Sequence, residues 1–248
     1  MAPDETPDHK VGAAGTALKQ EAVFGAHLLR RHGWRLLLVF AGLLLPLWGF
    51  AELADEIHER EAIGFDEPIL RWAHGFAGAG FDRFFDAVSK LGYSHGVVPV
   101  DIALVLALTL LRRFREATFA AVALGGAAAL TVAAKHAFAR DRPALWASFS
   151  PETTFSFPSA HAMGSSALAC VLVALAWGTP WRWPVVAVAG AFVFAVGLSR
   201  VYLGVHYPSD ILAGWAAATA WTLAVYLVVF RAGARPWRPS ATTAPTPT

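Results

Sequence analysis

Between two long apolar segments the chain reads Ser199-Arg200-Val201-Tyr202-Leu203-Gly204-Val205-His206-Tyr207-Pro208-Ser209-Asp210. Arg200 closes the first segment, and Pro208 suits the first turn of the next helix, where a missing N–H costs no hydrogen bond. Asp210 follows His206 by four residues, so a helical turn there places both side chains on one face. A carboxylate on one imidazole nitrogen fixes the tautomer and leaves the other nitrogen free to attack. We therefore expect a reactive site where these two segments meet.

The composition is that of a polytopic membrane protein. Apolar residues make up 56% of the chain and charged residues 15%, with a mean hydropathy of +0.48. An average soluble domain carries about 25% charged residues. The single cysteine, Cys170, lies in an apolar segment and rules out a disulfide or a thiolate metal site within one chain.

The apolar segments predict an all-α bundle of six transmembrane helices, at about 34–53, 97–111, 117–134, 162–177, 184–198 and 211–230. Several are shorter than the roughly 20 residues of an independent span. The domain boundaries that follow are a polar cytoplasmic tail at 1–33, a membrane domain at 34–232 and a disordered tail at 233–248. The tail at 1–33 holds a candidate amphipathic helix at 17–31.

The segment at 52–95 differs from its surroundings, with nine acidic and four basic residues. Apolar residues recur there at helical spacing: Phe81, Phe84, Phe85, Val88 and Leu91. This pattern predicts an amphipathic helical segment between helices 1 and 2, lying on the membrane surface or against the bundle. It is either an ordinary packed helix or a lid over the lipid entrance.

Lys and Arg in the short loops predict the orientation. With both termini in the cytoplasm of a plasma-membrane protein, the inner loops hold Arg30, Arg31, Arg35, Arg112, Arg113, Arg115, Arg182, Arg231, Arg235 and Arg238. The acidic segment then lies outside. Four outer cations break the pattern together, which suggests that chemistry retains them: Lys135, Arg140, Arg142 and Arg200.

Two further polar stretches emerge on the same outer side, Lys135–Pro143 and Phe157–His161. Ser159 and His161 begin an apolar helix, whose free N–H groups form a natural anion cradle. Three cations, Lys135, Arg142 and Arg200, add charge-assisted donors for phosphate oxygens. Two histidines supply a nucleophile and an acid for the leaving oxygen, as phosphoryl transfer from an ester requires.

These stretches resemble the motifs of the type 2 phosphatidic acid phosphatase (PAP2) superfamily. Lys135–Pro143 matches K-x6-R-P, Pro158–His161 resembles P-S-G-H, and Ser199–Asp210 matches S-R-x5-H-x3-D. The resemblance covers about residues 95–230. Ala160 stands where the family has glycine, and its N–H keeps the same direction if its φ is negative.

The resemblance implies a role for each matching residue. His206 is the expected nucleophile that forms a phosphohistidine, Asp210 orients it, and His161 is the general acid. The implied phosphate-binding set is Lys135, Arg142, Ser159, Ala160 through its N–H, and Arg200. The family needs no metal or other cofactor. Arg140, His136 and Asp141 are matched by no motif position and are interpreted as helix-end or surface residues.

The implied function is that of an integral membrane lipid phosphatase whose site opens at the extracytoplasmic face. The expected partners are a lipid phosphate and the surrounding membrane lipids, not nucleic acid; the oligomeric state stays open. Candidate substrates are phosphatidic acid, phosphatidylglycerophosphate, diacylglycerol pyrophosphate and undecaprenyl diphosphate.

Two alternatives stay open at this point. A vanadium-haloperoxidase-like oxidoreductase shares this site architecture, but such enzymes are typically soluble. A non-catalytic lipid-binding or transport protein is the other, although intact His161, His206 and Asp210 argue against it. Asp101 lies several residues into a predicted span, where acids are costly, and we expect it to find a partner at the outer rim.

Overall fold

In the computed structural model the described residues are 33, 37, 39–148, 150–231 and 236–237, and every regular element among them is helical. The expected all-α fold is therefore confirmed. The chain divides into two compact units, residues 1–42 and 43–248, and the site described below lies in the second. Apart from Gly33, the predicted tail at 1–33 and its amphipathic helix at 17–31 lie outside the described residues.

Within the described residues, a π-helical turn at Phe40–Leu44 leads into eight α-helices. They are α1 (Leu45–His58), α2 (Asp66–His74), α3 (Ala79–Leu91), α4 (Val97–Leu110), α5 (Phe114–Phe138), α6 (Ala160–Ala176), α7 (Arg182–Tyr202) and α8 (Pro208–Val229).

Three helices of the described chain, α5, α7 and α8, are long and apolar enough to cross a membrane. The helices α4 and α6 are apolar but shorter, so the count of six spans stays a prediction. Both α5 and α7 extend beyond the predicted apolar segments, to Phe138 and Tyr202. Lys135 and Arg200 consequently lie in the last turns of these helices rather than beyond them.

The amphipathic helix predicted within the segment at 52–95 is present as α3, Ala79–Leu91. The first residues of the segment complete α1, and two short helices, α2 and α3, follow. The ring of Phe85 on α3 packs against Tyr202 of α7, with 4.3 Å between centroids, whereas Phe81 and Phe84 are exposed. The segment also carries polar side chains into the site, so it is more than a surface helix.

The helix α6 lies at the centre of the fold and packs against α5, α7 and α8. The main core contains both large and small buried residues, including Phe119, Ala127, Met163, Val171 and Ala218. Small residues allow helix backbones to approach closely where the surrounding lipid supplies no hydrophobic driving force. Large apolar side chains also face outward, as expected of a lipid-exposed surface: Leu106, Val188, Phe194 and Val228.

The first turns of α6 and α8 lie in close contact. A Cβ added at Gly214 of α8 would lie 3.0 Å from Cβ of Ala162 and 3.1 Å from the carbonyl oxygen of Ser159. Directly above this contact, the N–H of Ser159 donates to the carbonyl of Asp210 over 3.2 Å. A glycine at position 214 therefore fixes how the two helix starts face one another.

Trp237, within the predicted tail at 233–248, is described and contacts the bundle. Its N–H donates to Glu116 over 2.8 Å, and its indole N–H donates to the carbonyl of Leu175 over 2.7 Å. The guanidinium of Arg113 lies 5.5 Å from the centre of the indole. Residues 238–248 lie outside the described residues.

Candidate active site

The three polar stretches meet at one end of the bundle, where α5 and α7 end and α6 and α8 begin. Direct hydrogen bonds join them: Nη1 of Arg142 donates to the carbonyl of Val205 over 2.7 Å, and the N–H of Ser159 donates to Asp210. Antiparallel neighbours bring a helix end beside a helix start. Cationic side chains on the ends are thereby placed near the free N–H groups of the starts.

His206 is buried between a carboxylate and a guanidinium. Its Nδ1 lies 3.2 Å from Oδ2 of Asp210, and its Nε2 lies 3.1 Å from Nη1 of Arg142. A guanidinium only donates, so Nε2 accepts and the ring proton sits on Nδ1, facing Asp210. Burial first, and then the charges of Arg200 and Arg142, hold the pKa of His206 well below its ordinary value. The imidazole is therefore neutral, with a lone pair on Nε2.

Asp210 is fully buried, and several donors fix its position. Ser156 Oγ donates to Oδ2, as does the N–H of Tyr207 over 2.9 Å. The bond from Tyr207 closes the first turn of α8. His206 lies just before that helix rather than inside it, yet the pair forms because the carboxylate reaches back over the helix start.

Arg140 is half-buried and pairs with the buried Asp210, so its interpretation as a helix-end or surface residue is wrong. Nη1 lies 2.6 Å from Oδ1 of Asp210, and Nη2 lies 2.8 Å from Oδ2 of Asp66 at the start of α2. Asp66 also accepts the N–H of Ser209 over 2.9 Å. Burial alone would lower the pKa of Arg140, but the carboxylates of Asp210 and Asp66 raise it. A series of polar contacts, from Asp66 through Arg140 and Asp210 to His206, thus connects α2 to the reactive imidazole.

Lys135 and Arg142 surround the short segment that follows Glu152. The ammonium of Lys135, which is 8% exposed, donates to the carbonyl of Phe155 and to Thr154 Oγ1 over 3.4 Å. Arg142 donates through Nε to the carbonyl of Thr154 over 2.6 Å. Both cations are therefore held beside His206 by main-chain oxygens.

Glu152 lies between the two arginines. Its Oε2 is 2.7 Å from Nη2 of Arg142, and its Oε1 accepts from Nη2 of Arg200. Arg200 is 1% exposed and donates through Nη1 to Ser89 of α3. Burial would raise the pKa of Glu152, but the positive charges of Arg200 and Arg142 lower it below its ordinary value. An ionised carboxylate therefore bridges both guanidinium groups.

The start of α6 has the geometry expected for an anion cradle. Ser159 precedes the helix, and its Oγ accepts the N–H of Ala162 over 3.4 Å, which leaves its hydroxyl proton free to donate. Ala160 is the first helical residue and does not have a positive φ. The alanine therefore keeps the helical direction of its N–H in place of the family's glycine.

His161, in the first turn of α6, packs against Tyr93, with 5.2 Å between ring centroids. Its Nδ1 is buried and has no hydrogen-bond partner within the described chain, so this nitrogen is available to a substrate. A cavity of about 50 Å³ lies beside it, lined in part by Tyr93, Asp101 and Ala160. Oδ1 of Asp101 is also unpartnered among the described residues, so the expected partner at the rim is absent there.

The PAP2 superfamily model matches residues 100–234, which is more than half of the chain and includes every motif described above. The chain belongs to the PAP2 superfamily. The sequence-based resemblance is confirmed.

Several known phosphatases are similar in sequence to large parts of this chain. Phosphatidylglycerophosphatase B of Bacillus subtilis is 29% identical over 177 residues, covering 67% of this chain and 84% of that protein. Decaprenylphosphoryl-5-phosphoribose phosphatase of Mycobacterium tuberculosis is 40% identical over 116 residues, covering 46% of this chain and 61% of that protein. The crystal structure of the transmembrane PAP2-type phosphatidylglycerolphosphate phosphatase from Bacillus subtilis matches with a TM-score of 0.65 and 25% identity, covering 73% of this chain and 92% of that one.

This PAP2 protein is accordingly a multi-pass membrane phosphatase with an all-α fold. The predicted enzyme class is confirmed. These relatives favour hydrolysis over the oxidoreductase alternative, since each is named as a phosphatase.

Sequence reasoning missed four polar residues of the site: Asp66, Ser89, Glu152 and Ser156. Ser89 and Asp66 come from the segment before the family match, where no motif points to them. Glu152 lies in a loop between two motifs, and its acidity alone predicts a solvated side chain. The one available signal was Arg140, an outer cation without a motif, whose burial requires a carboxylate partner.

Proposed function

We propose that this protein hydrolyses a lipid phosphate or diphosphate through a phosphohistidine at His206. The observation that carries the proposal is the orientation of the imidazole. Nδ1–H faces Asp210 and the Nε2 lone pair faces the guanidinium of Arg142, where a phosphoryl group would be held. A neutral, oriented imidazole is the form that attacks phosphorus.

The other residues then take separate roles. Nε2 of His206 attacks phosphorus and the bond to the lipid oxygen breaks, while His161 donates a proton to that oxygen. Asp210 stabilises the positive charge that develops on the imidazole. Water then attacks the phosphohistidine, with His161 accepting its proton, and phosphate leaves. The phosphate-binding set consists of Lys135, Arg142, Ser159, the N–H of Ala160, and Arg200.

The cationic cradle supplies the charge stabilisation that other phosphoryl-transfer enzymes take from magnesium. Lys135, Arg142 and Arg200 converge on one place, and the start of α6 adds main-chain donors. Within the described residues, no group of three or more His, Cys, Asp or Glu side chains is placed to hold a metal ion. We therefore propose a reaction that proceeds without a metal cofactor.

An apolar groove provides a place for the lipid chain. It has a volume of about 330 Å³ and is formed by α2, α7 and α8, with Ile69, Leu198, Val201 and Trp215 among its lining residues. Pro208 and Ile211 line it in the first turn of α8, whereas His206 and Asp210 are not among its lining residues. A lipid chain in this groove would run along α8.

The proposal includes an orientation in the membrane. The basic residues of the short loops favour both termini in the cytoplasm of a plasma-membrane protein, and the end of the bundle that carries His206 would then face outward. We propose a membrane domain at residues 34–232, between two polar tails. In this orientation the acidic α2 and α3 also lie on the outer side and close over the site.

The test is phosphate release by the full-length protein, purified in detergent, from a panel of lipids. The panel contains the four candidate substrates together with decaprenylphosphoryl-5-phosphoribose, each with and without excess EDTA. We expect release from at least one lipid, unchanged by EDTA and abolished by His206→Ala. Release from none, or activity that needs added magnesium, would contradict the proposal.

A further inference from the structure

We propose that Glu152 is a built-in competitor for the phosphate cradle, so that it expels the phosphate product and sets the selectivity for lipid-attached phosphate. This inference rests on the proposed function, because it concerns the same cradle. No family motif includes position 152.

The geometry places the Glu152 carboxylate where two phosphate oxygens would bind. Arg142 and Arg200 each donate one Nη2 hydrogen to a different oxygen of Glu152, the arrangement by which two guanidinium groups also clamp a phosphate. Nη1 of Arg142 meanwhile contacts Nε2 of His206. The guanidinium of Arg142 therefore contacts both the carboxylate of Glu152 and the nucleophilic nitrogen of His206.

Glu152 cannot act as an acid in this position. The charges of Arg200 and Arg142 lower its pKa, so it carries a negative charge whenever the enzyme works near neutral pH. A phosphate dianion and this carboxylate would repel one another within the same cradle. Binding of phosphate thus requires Glu152 to leave, and its side chain, which is 27% exposed, has a path to solvent.

A competitor of this kind affects substrate and product differently. A lipid phosphate gains additional binding energy from its chain, which offsets the displacement of Glu152. Inorganic phosphate has no chain, and only the cradle holds it. When the phosphohistidine is hydrolysed, return of the carboxylate to Arg142 and Arg200 displaces the product. The apparent affinity for any small anion equals its affinity for the open cradle multiplied by the fraction of time that the cradle is open.

The experiment measures binding of inorganic phosphate and of vanadate to the full-length protein in detergent, by calorimetry and by the rise in melting temperature. The variants are Glu152→Gln and Glu152→Ala. Asp141→Asn is the matched control, since Asp141 is an exposed acid on the same loop. We expect both Glu152 variants to bind the anions about tenfold more tightly, and the control to bind within about twofold of wild type.

Kinetics supply a second readout. The variants should show a lower KM for the lipid, stronger product inhibition by phosphate and a lower kcat, because release becomes slower. If Glu152 instead only holds the two arginines in place, its removal would weaken anion binding and raise KM. Either weaker or unchanged binding overturns the inference.

The two proposals fail differently. Suppose that wild type hydrolyses a lipid phosphate and His206→Ala abolishes this, while Glu152→Gln binds phosphate as wild type does. The proposed function then stands and the role of Glu152 falls. If wild type hydrolyses none of the lipids and binds neither anion, both fall together. The rise in melting temperature on adding phosphate can be measured even for a variant that is less stable than wild type. Each variant is compared with itself in the absence of phosphate.

Discussion

The half-buried guanidinium of Arg140 forms an ion pair with the buried carboxylate of Asp210, with 2.6 Å between Nη1 and Oδ1. Asp210 carries the imidazole of His206 on its other oxygen. The orientation of the nucleophile therefore depends on an arginine that touches neither the nucleophile nor the cradle, and on Asp66, which anchors that arginine from α2.

Arg140→Ala is expected to lower kcat about 100-fold, because a small displacement of a reacting group has effects of that size. Loss of one partner from a buried ion pair should also destabilise the fold by about 3–5 kcal/mol. Arg140→Lys should restore part of both. Arg71→Ala is the control, since Arg71 forms an exposed ion pair with Glu67 on α2, the helix that also carries Asp66. Equal effects at Arg140 and Arg71 would remove Arg140 from the positioning of His206.

Gly214→Leu should separate the starts of α6 and α8 and thereby distort the cradle. The space is filled by Ala162 and Ser159, so overpacking should cost about 1–3 kcal/mol and reduce turnover. Gly190→Leu on α7 is the matched change, because no atom lies within 4 Å of a Cβ added there. It should stabilise the helix by about 0.5–1 kcal/mol. Thermal unfolding and kcat of both variants check this; similar losses in both would contradict the packing.

The sequence predicted the all-α fold and the family, because apolar periodicity and the spacing within a motif are local properties. Asp210 lies four residues from His206, and both fall on one short stretch. The partners of Arg140 and Arg200 could not be predicted, since Asp66 and Ser89 lie more than fifty residues away along the chain. Only the fold brings α2 and α3 over the site. The lengths of α5 and α7 were also underestimated. Lys135 and Arg200 lie in their last turns, and their charge ended the predicted apolar segments too early.

The folded protein should become less stable as the pH is lowered, and His206 should contribute to this loss. Its pKa in the folded protein lies well below the ordinary value of 6.5, so only the unfolded chain takes up a proton as the pH falls below that value. This contribution is complete above pH 6.5 and is lost toward the folded pKa, at no more than about 1.4 kcal/mol per pH unit. Between pH 7 and pH 5, wild type should lose more stability than His206→Gln. Parallel losses, measured by thermal unfolding in detergent, would show that His206 is not buried in its neutral form.

Filling the apolar groove should affect long-chain substrates only. Leu198→Trp places an indole in the groove of about 330 Å³ and should raise KM for a lipid phosphate while leaving p-nitrophenyl phosphate hydrolysis unchanged. Val188→Trp is the control on the same helix, because Val188 is 71% exposed and does not line the groove. Equal losses on both substrates would place the chain elsewhere.

The central claim is that His206 carries the phosphoryl group during turnover. The most direct measurement is rapid quenching of the enzyme with a lipid labelled with ³²P in its terminal phosphate, followed by identification of the labelled peptide. The account predicts an acid-labile, alkali-stable label on the peptide that contains His206, and none in His206→Ala. A label on any other residue, or turnover by wild type with inversion at phosphorus and no labelled enzyme, would contradict it.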